Sequence, residues 1–296
     1  MTTPLVPAPR LARGLGLEAL WAKCEQANPS GFHKDRSSRA MVAEAQAQGR
    51  RGLTVGTCGS AGLALARLAA QAGLAAVVFV PARYRGAPLE AMQALGAQVV
   101  RTPGTYEDAV AASAALAAAE RLYDANPTGV GGSASLLAYE AIADEIVGTL
   151  ETFPDTVWVP AGNGTTLAGV ARGFARLARA AGRPPPRVCG VGSDGNTAVI
   201  ASILAGRVVL LDPAALRETP ANEPLLNWRS AHAAEALGAV AATGGTGYAA
   251  SDAELFAMAA RLAADGIAAT PAGAAGLAGL AATAPTGGLH VVVLTA

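Results

Sequence analysis

Short runs of uninterrupted apolar residues alternate along this chain with longer helical patterns. The runs at 53–57 (LTVGT), 75–81 (AAVVFVP), 97–102 (AQVVRT), 155–162 (DTVWVPAG), 187–193 (RVCGVGS) and 290–295 (HVVVLT) have strand length and no polar face. Between them lie an Ala/Leu-rich helical pattern ending near Ala72, "PLEAMQALG" at 88–96, a long Ala-rich stretch at 106–122, and "NGTTLAGVARGFARLARAAG" at 163–182. Strands that are apolar on both faces and separated by helices predict buried parallel sheets with right-handed crossovers, so the fold class is α/β.

A weak break falls at 123–135 (YDANPTGVGGSAS), where Gly and Asn replace the helical pattern. A second, "GRPPPR" at 182–187, is short enough to join a helix to a strand. The pattern therefore predicts two α/β lobes meeting near the first break, and a ligand site in the cleft between them. The Ala/Gly-rich run at 266–285 has the length of a membrane span. Its small residues and Pro271 predict a buried helix of a soluble protein instead.

Acidic and basic residues number 22 each, so no long-range field favours nucleic acid or an anionic membrane, and the expected partner is a small molecule. Apolar residues are mostly Ala, Leu and Val, and Gly is abundant, a composition of closely packed elements rather than of disorder. Cys24, Cys58 and Cys189 have neither the spacing of a zinc site nor that of a disulfide framework, and no metal is expected. With an N-terminal stretch that lacks a charged leader and apolar core, this predicts a cytoplasmic protein.

Two Gly-rich turns, "GTCGSAG" at 56–62 and "AGNGTTLAG" at 161–169, each link a buried strand to a helix start. Backbone N–H groups are unpaired there and the helix dipole is positive, so both are anion sites in waiting. Neither has the Lys of a phosphate-binding Walker loop, and no GxGxxG fingerprint accompanies them, which argues against a nicotinamide-dependent oxidoreductase. In a chain poor in charge, Lys34 stands out within "NPSGFHKDRSS" at 28–38, just before a helical run.

The segment "TPLVPAPRLARGLGLEALWAKCEQANPSGFHKDR" at 3–36, with the later motifs following in order, resembles the fold-type II pyridoxal-phosphate enzymes. The similarity spans about residues 3–295 and is greatest to threonine synthase, with cysteine synthase and threonine dehydratase further off. It implies two three-layer α/β lobes with mostly parallel sheets and pyridoxal 5'-phosphate in the cleft between them. Residues 1–36 with 129–296 would form a large cofactor-binding domain, and 37–128 a small mobile one.

On matching positions, the likeness implies that Lys34 forms the Schiff base and shuttles protons. By the same likeness, Gly162, Asn163, Gly164, Thr165 and Thr166 would hold the cofactor phosphate, and the Thr295 hydroxyl would meet the pyridine nitrogen, favouring elimination and replacement over more demanding carbanion chemistry. The turn of Thr57, Cys58, Gly59, Ser60, Ala61 and Gly62 would bind the substrate α-carboxylate, with Ser60 also touching the cofactor. The likeness further implies an amino-acid substrate and a homodimer.

Five features depart from the pattern. Ser60 replaces an asparagine that meets the cofactor's phenolic oxygen, and Ala61 a residue that is usually hydroxylated. Gly129, in "NPTGVGG" at 126–132, stands where threonine synthases carry an arginine that grips a substrate phosphate; Arg83 or Arg85 is the alternative source of that cation. His33 resembles the tryptophan synthase β subunit and is placed to touch the cofactor phosphate, against packing as a locally satisfied side chain. Thr295 is followed by Ala296 alone, where relatives continue into a turn and helix, and is expected to fray.

Cys58 reads as a small residue filling a turn rather than a catalytic thiol, and His232 and His290 have no interpretable spacing. The expected activity is a β- or γ-elimination or replacement on an amino acid, threonine synthase-like but with a different substrate. Cysteine synthase-like replacement and threonine dehydratase-like deamination are the enzyme alternatives. A non-catalytic homologue that binds cofactor or amino acid as a sensor or partner subunit is the other class.

Overall fold

The computed structural model describes residues 2–84, 86, 88–283 and 287–296. In chain order the elements are β1 (Leu5–Pro7), α1 (Pro9–Leu15), β2 (Ala19–Cys24), α2 (Lys34–Ala47), β3 (Gly52–Gly56), α3 (Ser60–Gln71), β4 (Ala75–Pro81), α4 (Leu89–Ala94), β5 (Gln98–Thr102), α5 (Tyr106–Glu120), β6 (Tyr123–Asp124), α6 (Gly131–Leu150), β7 (Thr156–Pro160), α7 (Thr165–Ala181), β8 (Arg187–Ser193), α8 (Ala198–Ala205), α9 (Ala233–Ala242), β9 (Gly247–Ala250), α10 (Asp252–Ala264), α11 (Ala275–Thr283) and β10 (Leu289–Leu294).

The chain packs as two units, Met1–Ala27 with Tyr139–Ala296, and Asn28–Ala138. In this division Lys34 and Gly129 both fall in the smaller unit. The reason is local: α2 is continuous from Lys34 and packs on α3, and the residues after β6 pack back onto α2 at Met41.

The smaller unit is built on a parallel four-stranded sheet ordered β5-β4-β3-β6. β3 is buried along its whole length, as its unbroken apolar run requires. Gly56 ends it because a Cβ there would overlap the backbone of α5 at Ala109 and Val110.

The larger unit holds a sheet ordered β1-β2-β10-β7-β8-β9, in which β1 is antiparallel to β2 and the other pairs are parallel. β7 and β8 are central and buried, and α11 packs against them through Gly276 and Gly279, whose Cβ positions lie 2.7 Å from Trp158 O and 2.6 Å from the Trp158 ring. Both units are thus α/β lobes of mostly parallel strands.

Two expectations are corrected, and the buried helix expected within 266–285 is found with narrower bounds. The break at 123–135 contains β6 and the start of α6. Gly131 serves close packing there, since a Cβ would lie 2.6 Å from Met41 Sδ. Within 266–285, the described helix is Ala275–Thr283, preceded by a turn at Pro271 whose ring cannot donate to a helix; among the described residues no helix is long and apolar enough to cross a membrane. Thr295 is pinned rather than frayed: the Thr270 N–H donates to the Ala296 carbonyl at 3.0 Å, and Thr295 is buried.

Candidate functional site

In the smaller unit, Lys34 is the first residue of α2 and is half-buried, with His33 as the preceding cap residue. Asp35, 1 % exposed, fixes this helix start. Its Oδ2 accepts from the Ser30 N–H at 2.9 Å and lies 4.0 Å from Arg67 Nη1 on α3. A backbone turn and a neighbouring helix therefore share one buried carboxylate, which holds the lysine's backbone in place.

The turn from Thr57 to Gly62 joins β3 to α3. The Thr57 N–H donates to Phe79 O at 2.9 Å, and Thr57 Oγ1 accepts from the Gly59 N–H at 3.0 Å. Gly59 caps α3 without any side-chain bond to the first helical N–H groups, which suits them to a carboxylate. Gly62 admits close approach of the strand beneath, its Cβ position lying 2.6 Å from Val78 Cγ1. Ser60 and Ala61 are half-buried on the first turn.

Cys58 is hydrogen-bonded to the Tyr84 hydroxyl, which accepts from Arg83 Nη2 at 3.3 Å. Burial first, and then Cys58, pushes the Tyr84 hydroxyl well above the usual phenol range, so it stays neutral. Arg85 lies outside the described residues.

One strand over from β3, Asn126 ties the turn to β6. Its Oδ1 accepts from the Gly56 N–H at 2.8 Å, and its Nδ2 donates to Asp124 Oδ1 at 2.6 Å and Ser113 Oγ at 2.7 Å. The Asp124 carboxylate then occupies the space where a Cβ at position 129 would project. Any side chain at 129 has to displace it.

In the larger unit, Gly162, Asn163 and Gly164 lead from β7 into α7. Gly164 is left-handed (φ 78°), and α7 starts without a side-chain cap. Thr165 and Thr166 are both buried on the first turn. Open helical N–H groups with two hydroxyls and no acid in the first turn form a cradle of the right chemistry for a phosphate dianion. Thr295 follows directly on β10, in the same sheet as β7.

Sequence reasoning missed two clusters. Thr165 Oγ1 lies 2.9 Å from His232 Nδ1, 67 positions away. Lys23, fully buried, donates to the Thr3 carbonyl at 2.6 Å and to Glu145 Oε2, with the buried Glu25 carboxylate 4.0 Å away. Alternating Lys23 and Glu25 around Cys24 was the available signal, in a strand that otherwise reads apolar. Among the cysteines, burial pushes Cys24 up to about 11 and raises Cys189 as well, so both are inert thiols.

Residues 1–296 match the family described as pyridoxal-phosphate dependent enzyme, and the chain belongs to that family. It is similar to threonine synthase of Methanosarcina acetivorans, 31 % identical over 278 residues that cover 91 % of this chain and 66 % of the relative. It is likewise similar to threonine synthase of Bacillus sp. (strain ULM1), 28 % identical over 202 residues, 67 % of this chain and 55 % of the relative. The chain thus spans about half to two thirds of the length of these relatives. An L-serine ammonia-lyase from Rhizomucor miehei has the same fold, with TM-score 0.83 and 24 % identity over 99 % of this chain and 92 % of that one. Pyridoxal phosphate is the cofactor of the family.

Proposed function

We propose that this protein is a pyridoxal-phosphate-dependent lyase or transferase that carries out β- or γ-elimination or replacement on an α-amino acid lacking a distal phosphate. The chain's own parts take separate roles. Lys34 would hold the cofactor through its aldehyde and would move the proton at the substrate Cα. The N–H groups of the 57–62 turn bind the α-carboxylate and so orient the Cα bond to be broken. The 162–166 turn would hold the cofactor phosphate, and Thr295 would offer a neutral hydroxyl to the pyridine nitrogen. When bound, pyridoxal phosphate supplies the electron sink for charge developing at Cα.

The observation that carries the substrate reading is Gly129. The arginine that grips phosphate in threonine synthases is absent at the matching position, and the Asp124 carboxylate fills the space beside it. A phosphate brought there meets negative charge instead of a bidentate cation, a loss of about 1.5–3 kcal/mol or more. The test compares binding and turnover of O-phosphohomoserine, O-phosphoserine, serine and threonine at one pH. Serine or threonine should bind about ten-fold or more tighter than either phosphate ester. Efficient conversion of O-phosphohomoserine to threonine overturns the substrate reading and makes Arg83, bonded through Tyr84 to Cys58, the cation to examine.

The phosphate assignment has its own test in Gly164→Asp. Any side chain there is strained at φ +78° and lies 2.9 Å from Val199 Cγ2, and this one adds negative charge to the cradle. Affinity for pyridoxal phosphate, followed by visible absorbance, should fall about a hundred-fold. Unchanged affinity moves the phosphate elsewhere.

A further inference from the structure

The segment from Glu223 to His232 forms a strap under the 162–166 turn. Pro224 O lies 2.7 Å from the Cβ position of Gly162, and His232 O lies 3.4 Å from that of Gly164. Ser230 Oγ donates to Asn163 O at 2.7 Å and accepts from the His232 N–H at 3.3 Å. These contacts fix the backbone. The side-chain contact between Thr165 Oγ1 and His232 Nδ1, at 2.9 Å between residues that are 6 % and 5 % exposed, does something else.

A threonine hydroxyl has a single hydrogen. If Nδ1 of His232 is bare, Thr165 spends that hydrogen on the imidazole and presents only lone pairs to the turn, which repel a phosphate dianion. If Nδ1 carries a proton, it donates to Thr165 Oγ1, and the hydroxyl hydrogen is released toward the anion. Which nitrogen is protonated is set by what surrounds the pair.

The second buried His–Thr pair of this unit has a tautomer that its neighbours set. His290 Nε2 faces the Gly287 carbonyl at 2.8 Å and so carries the hydrogen, which leaves Nδ1 to accept from Thr156 Oγ1 at 2.8 Å. Thr156 in turn accepts from Trp158 Nε1 at 2.8 Å. There the hydroxyl hydrogen is consumed within the core.

Building on the assignment of the cofactor phosphate to this turn, we propose that His232 is a positioning residue that donates from Nδ1 to Thr165 and thereby makes the Thr165 hydroxyl a donor to the cofactor phosphate. His232 does not touch the cofactor; it sets the polarity of a group that does.

The test measures the affinity of the cofactor-free full chain for pyridoxal phosphate and for pyridoxal, which has no phosphate. His232→Asn keeps an N–H donor near the Nδ1 position, whereas His232→Leu removes it. His232→Leu should weaken pyridoxal phosphate binding about ten-fold or more, His232→Asn should restore most of it, and pyridoxal should bind all three proteins alike. Thr165→Val should reproduce the ten-fold loss, and adding His232→Leu to it should cost nothing further, because the two act as one unit. Should His232→Leu fail to fold, Thr165→Val and His232→Asn still decide the matter. The proposal is overturned by wild-type affinity in His232→Leu or in Thr165→Val, by His232→Asn being as weak as His232→Leu, or by a parallel loss for pyridoxal. Gly164→Asp separates the two levels: unchanged affinity in that variant removes the phosphate assignment itself, while a collapse there with no effect at His232 removes this inference alone.

Discussion

Lys34→Ala should abolish turnover while leaving the fold intact. Lys34 opens α2 at a half-buried position, so truncating its side chain removes no core packing, and Asp35 still ties the helix start to Ser30 and Arg67. On the proposed roles, the chemistry loses two contributions at once: the covalent hold on the cofactor, and the base that moves the Cα proton. The second alone is commonly worth about 10²–10⁴ in rate. Thermal unfolding should stay within a few degrees of wild type, while activity with any amino acid that wild type converts falls by at least that factor. Activity within ten-fold of wild type would mean that another residue carries the proton transfer.

Lys23→Met should be the most destabilising of these changes. In wild type, the ammonium is fully buried between the Glu145 carboxylate, the Thr3 carbonyl and the Glu25 carboxylate, and the Thr3 hydroxyl donates to Glu25 Oε1 at 2.6 Å. Removing the cation leaves two carboxylates facing each other, with Glu25 wholly out of water. Breaking a buried ion pair from one side costs about 3–5 kcal/mol. Replacing Lys23, Glu25 and Glu145 together by apolar residues of similar volume should cost much less than Lys23→Met, because no uncompensated charge remains. Denaturant titration of the two variants measures the difference, and equal losses would assign the network to packing rather than charge.

The parallel-sheet cores were legible in the sequence because burial on both faces leaves an apolar signature that nothing local disguises; β4 and β8 match their apolar runs end to end. The same reading missed β6 and the first turns of α6, since Gly131 and Gly132 look like a breaker when considered alone. Their purpose shows only against Met41, ninety positions earlier. The Ala/Gly run at 266–285 misled in the other direction: small residues serve the packing of α11 on Trp158, but they do not specify where a helix starts.

The candidate site divides in the same way. Strand–turn–helix junctions at 56–62 and 161–169 are local patterns, and both fall where the chain predicts them. The Thr165–His232 pair, the Lys23–Glu145 pair and the pressure of Asp124 on Gly129 are products of tertiary packing. His232 carried no sequence signal because its partner lies on another element, and Gly129 read only as a missing arginine until Asp124 showed that any side chain there has to displace a carboxylate.

The central claim is that Lys34 carries the cofactor of a working amino-acid enzyme. Borohydride reduction of the cofactor-loaded protein, followed by peptide mapping, tests it most directly. Covalent label on the peptide containing Lys34, released by prior addition of a good amino-acid substrate, is the predicted result. Label confined to Lys23, or protein loaded with cofactor but carrying no label, would contradict it.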